Sequence, residues 1–171
     1  MSKEDEVRAI VVMGVSGVGK STIGLALAKQ LDFEFLDADW LHSEHNLAKM
    51  AAGQSLSDED RLPWLNAVGR RIEYVLSRGR SSVTACSALK RSYRDTLRNH
   101  VPDAFFVFLD GPIELVLARV EVRPHDFMPA SLLRSQFSTL EALQPDERGV
   151  RIEIAEQPDD IVRQIRGALG V

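Results

Sequence analysis

The sequence predicts an α/β fold in which helices cover both faces of a parallel sheet. Short apolar segments rich in β-branched residues alternate with longer segments of helical periodicity, a pattern that favours parallel strands joined by helical crossovers. The segments that connect them are short, and the chain has 171 residues, a length that suits one core of ordinary size. We therefore expect residues 1–171 to form a single domain.

Five apolar stretches have the length and composition of strands. Four of them are rich in Val, Ile or Phe and are expected to be buried in the sheet, and the one that follows the first helix is shorter. The predicted strands are residues 9–13, 33–36, 82–86, 105–109 and 150–154.

Five further segments have helical periodicity. In the first, Ile23, Leu27 and Leu31 share a face. The longest follows Ser57, a predicted N-cap with Asp60 three residues later. The predicted helices are residues 20–31, 57–79, 113–120, 131–143 and a last one from about 158.

The overall composition excludes several classes of protein. The net charge is −4 and no basic cluster stands out, so nucleic acid is not an expected partner. No apolar run approaches the roughly 20 residues of a membrane span, and the first residues are polar and acidic, unlike a secretory signal. A single cysteine, Cys86, fits a reducing compartment. We expect a cytoplasmic protein that does not bind membranes.

A phosphate-binding loop joins the first predicted strand to the first helix. Residues 14–21, GVSGVGKS, match G-x-x-x-x-G-K-[ST] at every fixed position. In this motif glycines let backbone N–H groups wrap the phosphates, Lys20 reaches the β- and γ-phosphates, and the Ser21 hydroxyl binds Mg²⁺. The predicted nucleotide contacts are Gly14, Val15, Ser16, Gly17, Val18, Gly19, Lys20, Ser21 and Thr22.

The loop predicts a nucleoside triphosphate with Mg²⁺, but not the reaction. A regulatory GTPase would carry an N-K-x-D motif after a later strand, and the strand at 105–109 is followed by DGP instead. A small kinase is therefore favoured.

Candidate acceptor-binding groups follow the predicted strands at 33–36 and 82–86. Ligands of an open parallel sheet collect at the carboxyl ends of its strands. Asp37 and Asp39 are two residues apart, which in an extended segment places both carboxylates on one side. One could hold Mg²⁺ through water while the other accepts the proton of an attacking hydroxyl; the alternative is an acidic loop that caps the next helix. The side chains suited to holding a polyol are Asp37, Asp39, His42, Ser87 and Lys90.

Arg61 lies on the apolar face of the long predicted helix. An arginine on an inward-facing stripe needs a partner. That partner could be a substrate carboxylate, or Asp37 or Asp39 in a structural ion pair. Cys86, at the end of a predicted core strand, is expected to be a buried, inert thiol.

Several of these residues belong to longer stretches that together resemble the gluconokinases of the small P-loop type. The stretches are DADWLHSEHNLAKMAAGQSLSDEDRLPWL, CSALKRSYRDTLR and SQFSTLE, which follow the phosphate loop in this order between about residues 11 and 147. The resemblance implies ATP-dependent phosphorylation of D-gluconate on its 6-hydroxyl. It also implies a nucleoside-monophosphate-kinase-like fold with a five-stranded parallel sheet, a lid and a homodimer.

Similarity to the related shikimate kinases implies roles for single residues. Asp37 matches a position near Mg²⁺, Asp39 one that contacts the acceptor hydroxyl, and Arg61 one that binds the substrate carboxylate. Arg119 and Arg123 match arginines at the base of the lid and within it, and we expect Arg119 to contact the nucleotide and Arg123 to act in catalysis. The polar stretch 121–129 is the predicted lid.

Two other functions stay open at this point. One is a shikimate-type or other small-metabolite kinase, although a shikimate kinase would carry a Gly-Gly-Gly run where SALK stands. The other is a nucleotide-dependent switch, which would keep Lys20 but would not need Asp39.

Overall fold

The computed structural model describes residues 6–122 and 129–171, and within them it contains the predicted five-stranded parallel sheet. The strand order is β2-β3-β1-β4-β5, so the phosphate-loop strand lies at the centre. Arg123 and most of the predicted lid fall outside the described residues. The strands are β1 Ala9–Met13, β2 Glu34–Asp37, β3 Ser82–Ala85, β4 Phe105–Asp110 and β5 Gly149–Glu153.

Burial across the sheet follows the position of each strand. Every residue of β1 and β3 is buried, as expected of strands with neighbours on both sides and helices on both faces. β5 is an edge strand, in which only Ile152 is buried. The strand expected at 150–154 is therefore present with bounds one residue earlier, but the expectation that it is buried is wrong, because Arg151 and Glu153 are exposed and pair with each other.

The capped helix at 57–79 is confirmed. The Ser57 hydroxyl accepts the Asp60 N–H at 3.1 Å, and the Asp60 carboxylate accepts the Ser57 N–H at 2.9 Å. No helix in the described ranges is long and apolar enough to cross a membrane. The helices are α1 Lys20–Leu31, α2 Glu44–Ala51, α3 Asp58–Ser77, α4 Arg91–His100, α5 Ile113–Val122, α6 Ala130–Thr139 and α7 Pro158–Leu169, with a 3₁₀ helix at Ala38–Leu41.

The helix predicted at 131–143 ends four residues early. The Leu140 N–H makes the last helical hydrogen bond, to the Gln136 carbonyl. The next N–H, that of Glu141, donates instead to the Leu89 carbonyl at 2.8 Å, on the loop between β3 and α4. A tertiary hydrogen bond thus replaces the next turn of helix.

Candidate active site

The phosphate loop has the backbone shape that its glycines require. Gly14 has φ +144°, and a Cβ there would lie 2.7 Å from the Leu109 carbonyl oxygen, so no side chain fits. Gly19 precedes α1 with φ 99°, and no side chain caps the helix there. The first N–H groups of α1 are therefore left for an anion, as in a phosphate site at a helix N-terminus.

Lys20 lies across this loop. Its Nζ donates to the Val15 carbonyl at 2.9 Å. Burial lowers the pKa of Lys20, while the nearby negative charges of Asp39 and Asp37 act in the opposite direction. A phosphate group in the loop would supply the counter-charge that a partly desolvated ammonium group needs.

The Ser21 hydroxyl and the Asp37 carboxylate meet beside the loop. Ser21 Oγ donates to Asp37 Oδ2 at 2.9 Å. Within residues 6–122 and 129–171 there is no group of three or more His, Cys, Asp or Glu side chains that could hold a metal ion. Mg²⁺ does not need one, because it is commonly bound through one or two carboxylates, water and substrate phosphates. A hydroxyl and a carboxylate at a phosphate loop fit that donor set.

Asp37 also caps the segment that carries Asp39. Its Oδ1 accepts the Asp39 N–H at 3.0 Å, so the chain turns into the 3₁₀ helix directly after β2. The extended conformation expected for residues 37–39 is therefore wrong, since the helix-capping alternative describes Asp37. The Asp39 side chain is 83% exposed, whereas that of His42, three residues later, is 4% exposed.

A cavity of about 210 Å³, called the acceptor cavity from here on, lies between the phosphate loop, α3 and α6. It brings together residues that are far apart in the sequence but were each singled out from it. Lys90 is not among its lining residues; its Nζ pairs with the Asp58 carboxylate at 3.0 Å, and its role in substrate binding stays a prediction. The predicted residues that line the cavity are Ser16, Lys20, Asp39, His42, Arg61 and Ser87.

His42 is held in the cavity wall as a neutral imidazole. Its ring stacks on Trp64 at a centroid distance of 4.2 Å and an interplanar angle of 14°. Trp64 is fixed in turn by a hydrogen bond from its Nε1 to the Ala38 carbonyl at 2.7 Å. Burial, and then the positive charge of Arg61, lower the pKa of His42 to about 4. At neutral pH the ring can therefore donate one hydrogen bond and accept another.

Arg61 has a neutral partner in this structure. Its Nη1 donates to the Tyr93 hydroxyl at 3.0 Å, and its guanidinium lies 5.3 Å from the centre of the same ring. Asp37 accepts hydrogen bonds from Ser21 and from the Asp39 N–H, and no ion pair between Arg61 and Asp37 is found among the described residues. A guanidinium has five N–H donors, so one bond to a phenol leaves capacity for a carboxylate.

A second cavity, of about 430 Å³, adjoins the phosphate loop. It is lined by Gly17 and Thr22 of the loop region, by Arg119 of α5, and by Glu156 and Pro158 before and within α7. Arg119 Nη2 donates to the Ile154 carbonyl at 2.6 Å, which holds the side chain at this position. The volume suits a small ligand such as the base and ribose of a nucleotide.

Cys86 takes no part in this chemistry. It is 1% exposed, and its N–H continues the sheet by donating to the Val12 carbonyl at 3.1 Å. Burial raises the pKa of its thiol to about 12, so it stays protonated and unreactive.

Several residues that line the acceptor cavity were not predicted from the sequence, among them Trp64 and Gln136. Trp64 is a buried residue of α3 that also forms part of the cavity wall. Gln136 had no signal of its own beyond its place in the SQFSTLE stretch, and it reaches the phosphate loop across the fold.

The parallel sheet, the phosphate loop and the adjoining cavities define a P-loop kinase of the shikimate kinase type. The shikimate kinase family model matches residues 16–165 of the chain. Membership of a kinase family implies ATP as the phosphoryl donor.

More specifically, the chain belongs to the gluconokinase family. It is 43% identical over 162 residues to the thermosensitive gluconokinase of Escherichia coli strain K12, covering 94% of this chain and 87% of that one. It is 42% identical over 180 residues to a gluconokinase of Arabidopsis thaliana, covering 96% and 95%. The crystal structure of a gluconokinase from Sinorhizobium meliloti 1021 superposes with a TM-score of 0.88 at 44% identity, covering 95% and 91% of the two chains.

Proposed function

We propose that the protein transfers the γ-phosphoryl group of ATP to the 6-hydroxyl of D-gluconate, giving 6-phospho-D-gluconate. The observation that carries this proposal is the acceptor cavity, in which Lys20, Asp39 and Arg61 line one small space. A kinase whose acceptor carries both a hydroxyl and a carboxylate needs three groups. Lys20 would bind the transferring phosphate, Asp39 would accept the proton of the hydroxyl, and Arg61 would bind the carboxylate. Relatives named gluconokinases, at about 40% identity over nearly the whole chain, support the choice of sugar acid.

In the proposed reaction, Asp39 accepts the proton of the attacking hydroxyl. A bond forms between that oxygen and the γ-phosphorus, and the bond from the γ-phosphorus to the bridging oxygen of ADP breaks. Lys20 and the N–H groups of the loop neutralise charge on the transferring group, which is the main task in phosphoryl transfer. Ser21 and Asp37 would hold Mg²⁺, which would neutralise negative charge on the phosphate groups when bound.

The other side chains of the cavity are proposed to hold gluconate in place. Arg61 binds the carboxylate, at the opposite end of the substrate from the reacting hydroxyl. His42 is neutral, and its Nδ1 lies 3.3 Å from the Asn46 amide nitrogen, which leaves Nε2 to donate to a hydroxyl oxygen of the substrate. The Ser87 hydroxyl also suits the hydroxyl groups along the chain. Lys90 joins them only if it exchanges its partner Asp58 for the substrate.

We extend the proposal to residues 1–171 as one domain. The lid at 121–129 and the catalytic role of Arg123 stay predictions, because Arg123 and most of the predicted lid lie outside the residues that the structure describes. The enzyme is a cytoplasmic homodimer. Size-exclusion chromatography with light scattering measures the dimer, and a monomeric mass would contradict it. Proteolysis within 121–129, with and without an ATP analogue plus gluconate, tests the lid, and equal cleavage in both states would count against closure.

A panel of acceptors tests the reaction itself. ADP formation is measured with ATP, Mg²⁺ and one of gluconate, shikimate, a nucleoside monophosphate, another sugar acid or no acceptor. We expect the highest kcat/KM with gluconate and a new phosphomonoester on its 6-oxygen by phosphorus NMR. Preference for shikimate would favour the shikimate-type alternative, and ADP formation that is independent of any acceptor would favour a nucleotide-dependent switch.

A further inference from the structure

A glutamine on α6 touches both halves of the proposed reaction site. The Ser16 backbone N–H, in the phosphate loop, donates to Gln136 Oε1 at 2.7 Å. Both residues also line the acceptor cavity, together with Lys20 and Asp39. Gln136 is 120 positions away in the sequence, so this contact depends on the tertiary fold.

The contact fixes which way the carboxamide points. A backbone N–H can be accepted only by the oxygen of the amide, so Oε1 faces the phosphate loop. The nitrogen of the same group, Nε2, carries two donor hydrogens. An open-chain sugar acid presents hydroxyl and carboxylate oxygens that can accept them.

Several contacts hold α6 in its place in the fold. Two of its own residues, Leu132 and Leu133, are buried. Directly after the helix, the Glu141 carboxylate accepts the Arg91 N–H at 3.0 Å, and the Glu141 N–H donates to the Leu89 carbonyl. The helix is therefore tied to the loop that carries Ser87, on the acceptor side of the cavity.

A second contact joins α6 to the segment before α3. The Ser135 and Ser55 hydroxyl groups lie 2.9 Å apart, and both residues line the cavity. Neighbouring side chains of one helix thus reach the phosphate loop and the opposite wall. An acceptor in this cavity would therefore lie beside both contacts.

We propose that Gln136 is a positioning residue that couples acceptor binding to nucleotide binding, with Oε1 holding the phosphate loop and Nε2 binding an oxygen of the acceptor. This rests on the proposed function, since it takes a polyhydroxy acid as the acceptor. Coupling of this kind is reciprocal, so gluconate tightens ATP and ATP tightens gluconate by the same factor.

The coupling is measured as a ratio of dissociation constants. A non-hydrolysable ATP analogue with Mg²⁺ is titrated by calorimetry into the full chain, with and without saturating gluconate. In the wild type we expect gluconate to lower the Kd of the analogue about fivefold or more, within the usual range of such couplings. In Gln136→Met, a side chain of similar length without hydrogen-bonding groups, the ratio should fall to about one.

Gln54→Met is the matched control. Gln54 is another glutamine that lines the same cavity, and no contact between its side chain and the phosphate loop is found among the described residues. This variant is expected to keep the coupling ratio, whatever happens to the affinity for gluconate itself. Thermal unfolding of both variants checks that each one is folded, and steady-state kinetics add a second measurement: the fall in KM for ATP as gluconate rises should disappear only in Gln136→Met.

The experiment distinguishes a failure of the coupling role of Gln136 from a failure of the proposed kinase activity. If the wild type does not phosphorylate gluconate, the proposed function fails. If the wild type phosphorylates gluconate but its coupling ratio is one, or if Gln136→Met keeps the wild-type ratio, the coupling role of Gln136 is overturned and the kinase assignment stands. Equal loss of coupling in both glutamine variants would also overturn it, because general polarity of the cavity would then be the cause.

Discussion

Replacing Arg94 by methionine should destabilise the protein strongly, although Arg94 lies outside the acceptor cavity. The Arg94 guanidinium is fully buried and makes a two-pronged ion pair with Glu147, at 2.7 and 3.0 Å. Its remaining N–H groups donate to the carbonyls of Ala88, Leu89 and Ala142. Methionine fills part of the space but satisfies none of these acceptors.

The expected loss of stability in Arg94→Met follows from the Glu147 carboxylate, which stays charged after its main partner is removed. Burial alone would raise the pKa of Glu147, but hydrogen bonds from Arg94, the Gln144 N–H and Arg98 outweigh it and hold that pKa at about 2, against an ordinary 4.5. That difference corresponds to about 3 kcal/mol of stabilisation of the charged form. Breaking one side of a buried pair typically costs about 3–5 kcal/mol, which for a chain of this length lowers Tm by about 6–20 °C.

Urea unfolding followed by tryptophan fluorescence measures this cost, and the pH dependence tests its cause. Because the pKa of Glu147 is depressed in the folded state, its stabilising effect is complete above about pH 4.5 and is lost as the pH falls toward 2. The deficit of Arg94→Met should therefore narrow across that window. The double variant Arg94→Met/Glu147→Leu should regain part of the loss, since the Glu147 carboxylate is no longer left without Arg94. The recovery is partial because Arg98, which also pairs with Glu147, then keeps only Asp95 as its partner. A loss below about 1 kcal/mol in the single variant, or a deficit that does not change with pH, would refute this reasoning.

Four substitutions test the remaining assignments. Lys20→Ala should abolish ATP-dependent transfer while circular dichroism shows an intact fold, because the loop N–H groups and Mg²⁺ do not replace the positive charge of the lysine at the transferring phosphate; near wild-type transfer would exclude that role. Asp39→Asn should lower kcat by about 10²–10⁴-fold in a coupled assay and leave KM for ATP almost unchanged. Arg61→Ala should raise KM for gluconate by roughly 10- to 100-fold but affect the uncharged analogue glucitol much less, and equal losses on both would rule out a carboxylate contact. Cys86→Ser should lower the free energy of unfolding by about 1 kcal/mol or more, and a stable but inactive variant would contradict its structural role.

The fold could be predicted wherever apolar residues recur with a regular period. β1 and α1 have the bounds that the sequence predicts, and α7 begins where it predicts, because each buries an apolar run or stripe against the sheet. α2 and α4 were not predicted, because their buried positions include polar side chains. Asn46 is the buried residue of α2, and Arg94 lies at the centre of the buried face of α4. Periodicity of apolar residues cannot detect a helix that packs through an amide or a guanidinium.

In the candidate site, too, contiguous motifs could be predicted from the sequence, whereas contacts between distant residues could not. The phosphate loop is contiguous, so its motif specifies its shape, and the loop residues from Gly14 to Ser21 could be named in full. The contact between Ser16 and Gln136, by contrast, joins residues 120 positions apart and leaves no local pattern. The conformation of Asp39 was predicted incorrectly for a related reason: the hydrogen bond from its N–H to the Asp37 side chain decides the turn after β2, and spacing alone does not reveal that bond.

The CSALKRSYRDTLR stretch contributes both to the cavity wall and to the contacts that hold the fold together. Of its residues, Ser87 lines the acceptor cavity, whereas Arg91 and Arg94 bind Glu141, Asp146 and Glu147 in the segment after α6. These bonds tie the loop that carries Ser87 to the helix that carries Gln136. Arg94 also binds the carbonyls of that loop directly, at Ala88 and Leu89. Much of the stretch that marks the family therefore serves to hold the two walls of the cavity at a fixed separation, so changes at Arg94 should loosen acceptor binding without any contact with the acceptor.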